Sequence, residues 1–188
     1  MDLVELSIAG CYRCESPVWG DDRGFFREWF KGPDFSVAGV DFGTVQANLS
    51  LSARDVVRGL HYSLAPEGQA KAVTCVGGAL LDVVVDIRVG SPTFGNVELI
   101  PLAAELGVTA FLPAGVAHGF CVTSEQATLA YLLSSPFNAS VELEIHPFDP
   151  DLAIAWPTSG EALLSPKDAA APTLAERQAA GQLPIYRS

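Results

Sequence analysis

The sequence predicts an all-β sandwich or barrel, and three observations carry the prediction. Apolar residues recur with a period of two in short segments rather than with the 3.6 period of a helix. Turn formers punctuate these segments at Ser91-Pro92, Pro113-Ala114-Gly115 and Ser134-Ser135-Pro136. Nothing alternates strands with long helices, as a doubly wound α/β fold would. In chain order, residues 34–37 predict a short helical turn. Residues 72–76 are apolar and β-branched. Residues 79–88 alternate, with Leu81, Val83 and Val85 on one face and Asp82, Val84 and Asp86 on the other. Gly77-Gly78 between these two segments predicts a hairpin. Residues 97–102, 108–112, 119–123 and 127–133 continue the strand series. Residues 168–180 are Ala-rich and precede Gly181, which predicts a helical tail.

A chain of 188 residues suits a single domain, 1–188, with an N-terminal strand arm and the C-terminal tail. A hydrophobic share of 49% is too high for a disordered chain. The net charge of −11 disfavours nucleic acid and anionic membrane surfaces. It leaves room for a small anionic ligand at a local Arg/Lys cluster. The first ten residues carry two acidic groups and no basic region, so they do not read as a signal peptide. No apolar run approaches the ~18 residues of a membrane span. The four cysteines form no dense disulfide framework, and a reducing cytoplasm is expected. Cys11 and Cys14 have C-x-x-C spacing but no second pair and no βαβ context, so a structural role is expected.

The useful polar residues fall inside or beside strand patterns. Arg58-Gly59-Leu60-His61 follows Val56-Val57, and strict alternation sets Arg58 on the face opposite Val57 and Gly59. Lys71 opens a strand, Asp82 sits in mid-strand, and His118 and Tyr131 lie in apolar strings. Each has a bland reading. A lone buried His is usually a hydrogen-bonded core residue, Tyr131 reads as core with its hydroxyl paired, and Asp82 can cap a backbone group. Convergence favours a site, because a barrel that turns these groups inward makes a polar pocket in an apolar wall. A metal is not expected. Metal-binding barrels of this kind place two histidines one residue apart, whereas Tyr62-Ser63 follows His61. No G-x-G-x-x-G follows a strand, and G-x-S-x-G is absent.

Nine strings between residues 22 and 168 resemble, in order, the dTDP-4-dehydrorhamnose 3,5-epimerase family of deoxysugar biosynthesis. They are Asp22-Arg23-Gly24-Phe25-Phe26-Arg27-Glu28, Gln46-Ala47-Asn48, Arg58-Gly59-Leu60-His61, Gln69-Ala70-Lys71, Asp82-Val83-Val84-Val85-Asp86-Ile87-Arg88, Ser91-Pro92-Thr93-Phe94-Gly95, Ala117-His118-Gly119-Phe120, Asp149-Pro150-Asp151 and Ser165-Pro166-Lys167-Asp168. The resemblance implies a cupin-type jelly-roll barrel with short peripheral helices, a homodimer, no cofactor and a dTDP-linked 4-keto-6-deoxyhexose substrate. It implies epimerisation at C3 and C5, or at one of them, as in an antibiotic deoxysugar pathway. A non-catalytic sugar-nucleotide binding module and a metal-dependent cupin are the rivals from other classes.

The resemblance also implies roles. His61 matches the base that removes the proton alpha to the C4 ketone, and Asp168 the carboxylate behind it. Lys71 matches the cation at the enolate, and Tyr131 the acid on the opposite ring face. Arg23, Glu28, Gln46, Asn48, Arg58, His118, Glu142 and Lys167 match positions that bind substrate, with Asp82 in support. Phe26 resembles a residue that contacts thymidine from the partner subunit. Phe137 stands where the family often has a tyrosine that stacks on thymine, and it keeps the stacking face. Residues 138–142 depart further, lacking the Pro and Arg of the family's loop.

Overall fold

The computed structural model describes residues 1–37, 40–65 and 68–187. Its strands are β1 (Asp2–Glu5), β2 (Tyr12–Glu15), β3 (Val18–Asp21), β4 (Gly24–Arg27), β5 (Gln46–Ala53), β6 (Val57–Ser63), β7 (Lys71–Gly77), β8 (Ala79–Asp86), β9 (Val97–Ala103), β10 (Val108–Leu112), β11 (Val116–Val122), β12 (Gln126–Leu133) and β13 (Glu142–Glu144). Among the described residues, the short helices α1 (Gly32–Val37), α2 (Pro166–Ala169) and α3 (Leu174–Ala179) lie at the periphery. One sheet has the order β1-β2-β10-β7-β12-β5 and the other β13-β6-β11-β8-β9, all antiparallel. The two sheets form a cupin-type jelly-roll barrel. Strands β3 and β4 form a separate ribbon.

Alternation decides what each sheet buries. Leu80, Val84, Ile100, Leu102, Phe120 and Val122 from one sheet meet Val73, Cys75, Val108, Ala110, Leu112 and Leu129 from the other. This core fills the inside of the barrel. The opposite face of β8, with Val83 and Val85, packs under the C-terminal segment through Ile145, Trp156, Leu174 and Leu183. The predicted two-faced pattern of residues 79–86 is therefore present, and both faces are covered, which is why the polar positions on this strand are so few.

Two predicted elements differ. Gly77-Gly78 is a corner and not a hairpin, because β7 and β8 belong to different sheets. Gly78 has φ +72°, and a Cβ there would lie 2.0 Å from the Gln126 carbonyl oxygen, so the corner needs glycine. The tail over residues 168–180 is two helices. Pro172 follows the first, and Thr173 starts the second with a reciprocal cap to Glu176. Strands β1 to β5 were not predicted individually. β1 to β4 have four residues each, too few to show a period. β5 carries its polar residues inward.

The string from Asp86 to Thr93 proves to be architecture. Asp86 accepts hydrogen bonds from Arg88 Nε at 2.8 Å, Ser91 Oγ at 2.6 Å and Thr93 Oγ1 at 2.7 Å. Burial pushes its carboxyl up, but these donors and the Arg88 amide outweigh burial and hold it at about 2. Arg88 in turn stacks on Tyr186. This corner ends β8 and ties the tail to the barrel. Cys11 and Cys14 are both buried and free, and burial pushes each thiol up to about 12. They pack into different apolar clusters, as a structural role requires.

Candidate active site

The inner surface of the barrel changes character along its length. Beyond the apolar core, the inward positions carry Lys71 on β7, Asp82 on β8, His118 on β11 and Tyr131 on β12. Each is two residues from an inward apolar neighbour: Val73, Val84, Phe120 and Leu129. Asn48 pairs in register with Tyr131, and Gln46, Ser50 and Ser52 share its face. Strand β5 thus turns polar groups inward and the apolar Leu49 and Leu51 outward.

A bulge brings Arg58 and His61 together. Phe120 pairs with Arg58 and His118 with His61, so β6 spends one residue more than β11 across this interval. Strict alternation would set Arg58 and His61 on opposite faces, whereas the extra residue turns both inward. The bulge needs two glycines in contact. A Cβ on Gly59 would lie 2.6 Å from Gly119 Cα, and one on Gly119 would lie 2.7 Å from the Arg58 carbonyl oxygen. The glycines in the two motifs are therefore a packing requirement. Arg58 Nε donates to Ser52 Oγ at 3.0 Å.

His61 and His118, cross-strand partners, each hold a carboxylate through Nε2. His61 Nε2 is 2.7 Å from Asp168 Oδ1, and His118 Nε2 is 2.7 Å from Asp82 Oδ1. The two carboxylates differ. Burial raises Asp168, but its bond and charge contact with His61, and bonds from Ser165 and the Gly59 amide, outweigh burial and lower it. An ionised carboxylate accepts only, so His61 Nε2 carries the proton, and in the neutral imidazole the Nδ1 lone pair is free. Asp82 is fully buried, and desolvation raises it against the opposing pull of His118 and Lys71. Desolvation lowers Lys71, opposed by Glu142 and then Asp82. Asp82 Oδ2 and Glu142 Oε1 are buried without hydrogen-bond partners.

The remaining predicted residues fall into two groups. At the barrel rim, Gln46 Nε2 donates to Asn48 Oδ1, and Gln46 Oε1 accepts from the Phe137 amide at 3.0 Å. Phe137 itself is exposed. Lys167 pairs with Glu144. The second group lies outside the barrel. Arg23 is exposed and paired with Asp21, and Phe26 stacks on Trp19 with ring centroids 5.8 Å apart. Both stand on the β3–β4 ribbon, and the exposed Glu28 follows it. Arg27 pins the ribbon to β7, donating to Thr74 Oγ1 and to the Cys75 carbonyl oxygen. Ser52 and Glu144 are contacts that motif reading did not find, and only the pairing of β5 and β13 reveals them. The cavity of about 470 Å³ beside Leu64, Arg88, Pro113 and Ile185 is lined by none of the predicted site residues.

This arrangement can move protons. A histidine with an ionised carboxylate behind it, a tyrosine on the facing sheet and a half-buried lysine suit proton abstraction alpha to a carbonyl.

Comparison with known proteins agrees. The family model of dTDP-4-dehydrorhamnose 3,5-epimerase matches residues 5–176. A dTDP-4-dehydro-6-deoxyglucose 3-epimerase of Streptomyces bikiniensis is 47% identical over 184 residues, 97% of this chain and 94% of that protein. A dTDP-4-dehydrorhamnose 3,5-epimerase of Mycolicibacterium smegmatis is 45% identical over 187 residues, 99% of this chain and 92% of that protein. The crystal structure of NovW, a 4-keto-6-deoxy sugar epimerase from the novobiocin biosynthetic gene cluster of Streptomyces spheroides, superposes with a TM-score of 0.96. It has 48% identity, over 99% of this chain and 94% of that one.

Proposed function

The chain belongs to the dTDP-4-dehydrorhamnose 3,5-epimerase family, and on that premise we propose that it inverts C3 of a dTDP-linked 4-keto-6-deoxyhexose. Inversion at C3 is common to the relatives named as 3-epimerases and as 3,5-epimerases. The observation that carries the mechanism is that His61 and Tyr131 stand on facing sheets, with His61 backed by Asp168 at 2.7 Å. A sugar ring held between the sheets meets a base on one face and an acid on the other.

In the proposed reaction His61 Nδ1 takes the proton from the carbon alpha to the C4 ketone. The electron pair moves to the ketone oxygen, where Lys71 faces the developing enolate. The Tyr131 hydroxyl returns a proton to the opposite face, and both groups are reset by exchange with solvent. The sequence is redox-neutral, so no cofactor enters it. Arg58, His118 and Lys167 supply donors for the sugar and diphosphate, which reconciles an acidic chain with an anionic substrate. Gln46, Asn48 and Glu142 hydrogen-bond the substrate at the rim. The test is incubation with the substrate in deuterated water, read by NMR. Deuterium at C3 with inverted configuration is expected, and deuterium at C5 as well would extend the activity to both carbons. No incorporation at C3, whether or not C5 exchanges, overturns the proposal.

The same reading includes a homodimer. Leu49 and Leu51 are 70% and 62% exposed on the outward face of β5, and Trp19, Phe25 and Phe26 are exposed on the ribbon. Exposed apolar side chains grouped in this way on a strand face and on a ribbon are characteristic of an interface. A dimer lets the ribbon bring Arg23, Phe26 and Glu28 to the neighbouring barrel, beside Phe137 and the thymidine. Sedimentation equilibrium is expected to give twice the chain mass of 19.8 kDa, shifted to the single-chain mass by Leu49→Glu. A wild-type monomer overturns this part. Four free, buried thiols fit the cytoplasm as the compartment, and no helix among the described residues is long and apolar enough to cross a membrane.

A further inference from the structure

Glu144 lies opposite His61 in the β13–β6 pair, and the proposed chemistry does not use it. Its side chain is only 12% exposed. One carboxylate oxygen, Oε2, is 2.7 Å from Lys167 Nζ, and the other, Oε1, is 3.8 Å from Arg177 Nη2. The Glu144 carbonyl oxygen also accepts from Arg177 Nε at 2.9 Å. Lys167 belongs to α2 and Arg177 to α3, so a single residue beside His61 touches both C-terminal helices.

Those helices need external support. They have four and six residues, below the length at which a helix holds itself together in water. Ser165 caps α2 by accepting from the Asp168 amide at 3.0 Å, which fixes the turn but not its seat on the barrel. Leu163, upstream of α2, is bridged to Val56. Downstream, the Leu174 amide donates to Asp149 and the Tyr62 hydroxyl to the Gln182 carbonyl. Within α2 itself, the side-chain ties to the barrel among the described residues are those of Asp168 to His61 and the Gly59 amide, and that of Lys167 to Glu144. The Lys167–Glu144 contact is close in distance but lacks the alignment of a hydrogen bond, so charge holds it.

We infer that Glu144 is a positioning residue for the His61–Asp168 pair, seating α2 through Lys167 and α3 through Arg177. The inference rests on the reading of His61 as the base. The Lys167 side chain is 61% exposed, so its ion pair adds little to global stability. Its effect falls on geometry. A displacement of Asp168 by a fraction of a hydrogen-bond length reorients the His61 ring, to which the reaction is sensitive.

The test uses the full chain carrying Glu144→Gln, which keeps the size of the side chain and removes its charge. The wild type is expected to show a downfield proton resonance from the His61 ring N–H bonded to Asp168, assigned by its loss in His61→Asn. In Glu144→Gln that resonance moves upfield or broadens while the thermal midpoint is nearly unchanged. Deuterium incorporation into substrate falls by about tenfold. Lys167→Met breaks the same pair from the other side and gives the same change in the resonance, and adding Glu144→Gln to it gives little more. An unmoved resonance in the folded variants overturns the inference, and if Glu144→Gln does not fold, Lys167→Met decides. The resonance is read without substrate. A wild type that incorporates no deuterium therefore defeats the proposed reaction and leaves the role of Glu144 in seating α2 to be judged on the resonance.

Discussion

His61→Asn is expected to abolish deuterium incorporation into the substrate, a loss of roughly 10²–10⁴-fold for a positioned general base. Asparagine is shorter than histidine, and its amide overlays the ring Nδ1 rather than Nε2, so the bond to Asp168 Oδ1 is lost with the imidazole. The ionised Asp168 keeps its bonds from Ser165 and the Gly59 amide, and the fold is expected to survive. What disappears is the Nδ1 lone pair. Binding of dTDP, measured by calorimetry, is expected to change little, because the proposed nucleotide contacts come from other residues. Exchange retained at the wild-type rate would remove His61 as the base. Loss of dTDP binding together with exchange would show that the histidine holds the site rather than serving the reaction.

Lys71→Met carries the second largest expected effect, a fall of about 10²–10³ in turnover with nucleotide binding retained. Methionine preserves the aliphatic length and deletes the charge that would face the enolate oxygen. Lys71 is desolvated, and its pKa is lowered, with Glu142 and Asp82 opposing the shift. The ammonium form exists below that lowered pKa and is lost as pH rises through it. Wild-type activity should therefore decline on the alkaline side at a pH below the ordinary lysine value, and this limb should vanish in the residual activity of Lys71→Met. Stability must be measured alongside. Removal of the lysine withdraws a positive charge that acts on both Asp82 and Glu142, and loss of compensation for a buried carboxylate is destabilising. An unchanged alkaline limb in the variant would assign that limb to another group.

Much of this was legible in the sequence. The strands with a covered core, β7 to β12, announced themselves through short apolar segments and turn residues, because burial on one face forces alternation and burial on both forces a continuous apolar run. The chemistry-bearing residues were legible as polar positions beside apolar strings: Lys71 opens its strand, and Asp82, His118 and Tyr131 interrupt theirs, with neighbours that form the core. The early strands were not legible, since four residues carry too little periodicity. Strand β5 misleads by inversion. Its apolar residues face outward and its polar ones inward, a pattern that makes sense only when the barrel interior is a site and the exterior an interface.

The sequence by itself determined the β class, the family and the set of polar residues available for chemistry. Local composition and motif order suffice for these. The tertiary structure alone decided which of those residues meet. The bulge between β6 and β11 turns Arg58 and His61 to one face despite their odd spacing, and it does so because Gly59 and Gly119 can touch where any side chain would collide. The corner at Gly78 sends β7 and β8 into opposite sheets, which sets Lys71 and Asp82 on facing walls. Asp168, 107 residues from His61, comes within 2.7 Å of it. Such contacts depend on register, on sheet crossing and on the seating of a four-residue helix by Glu144. None of these is encoded in the spacing of residues along the chain.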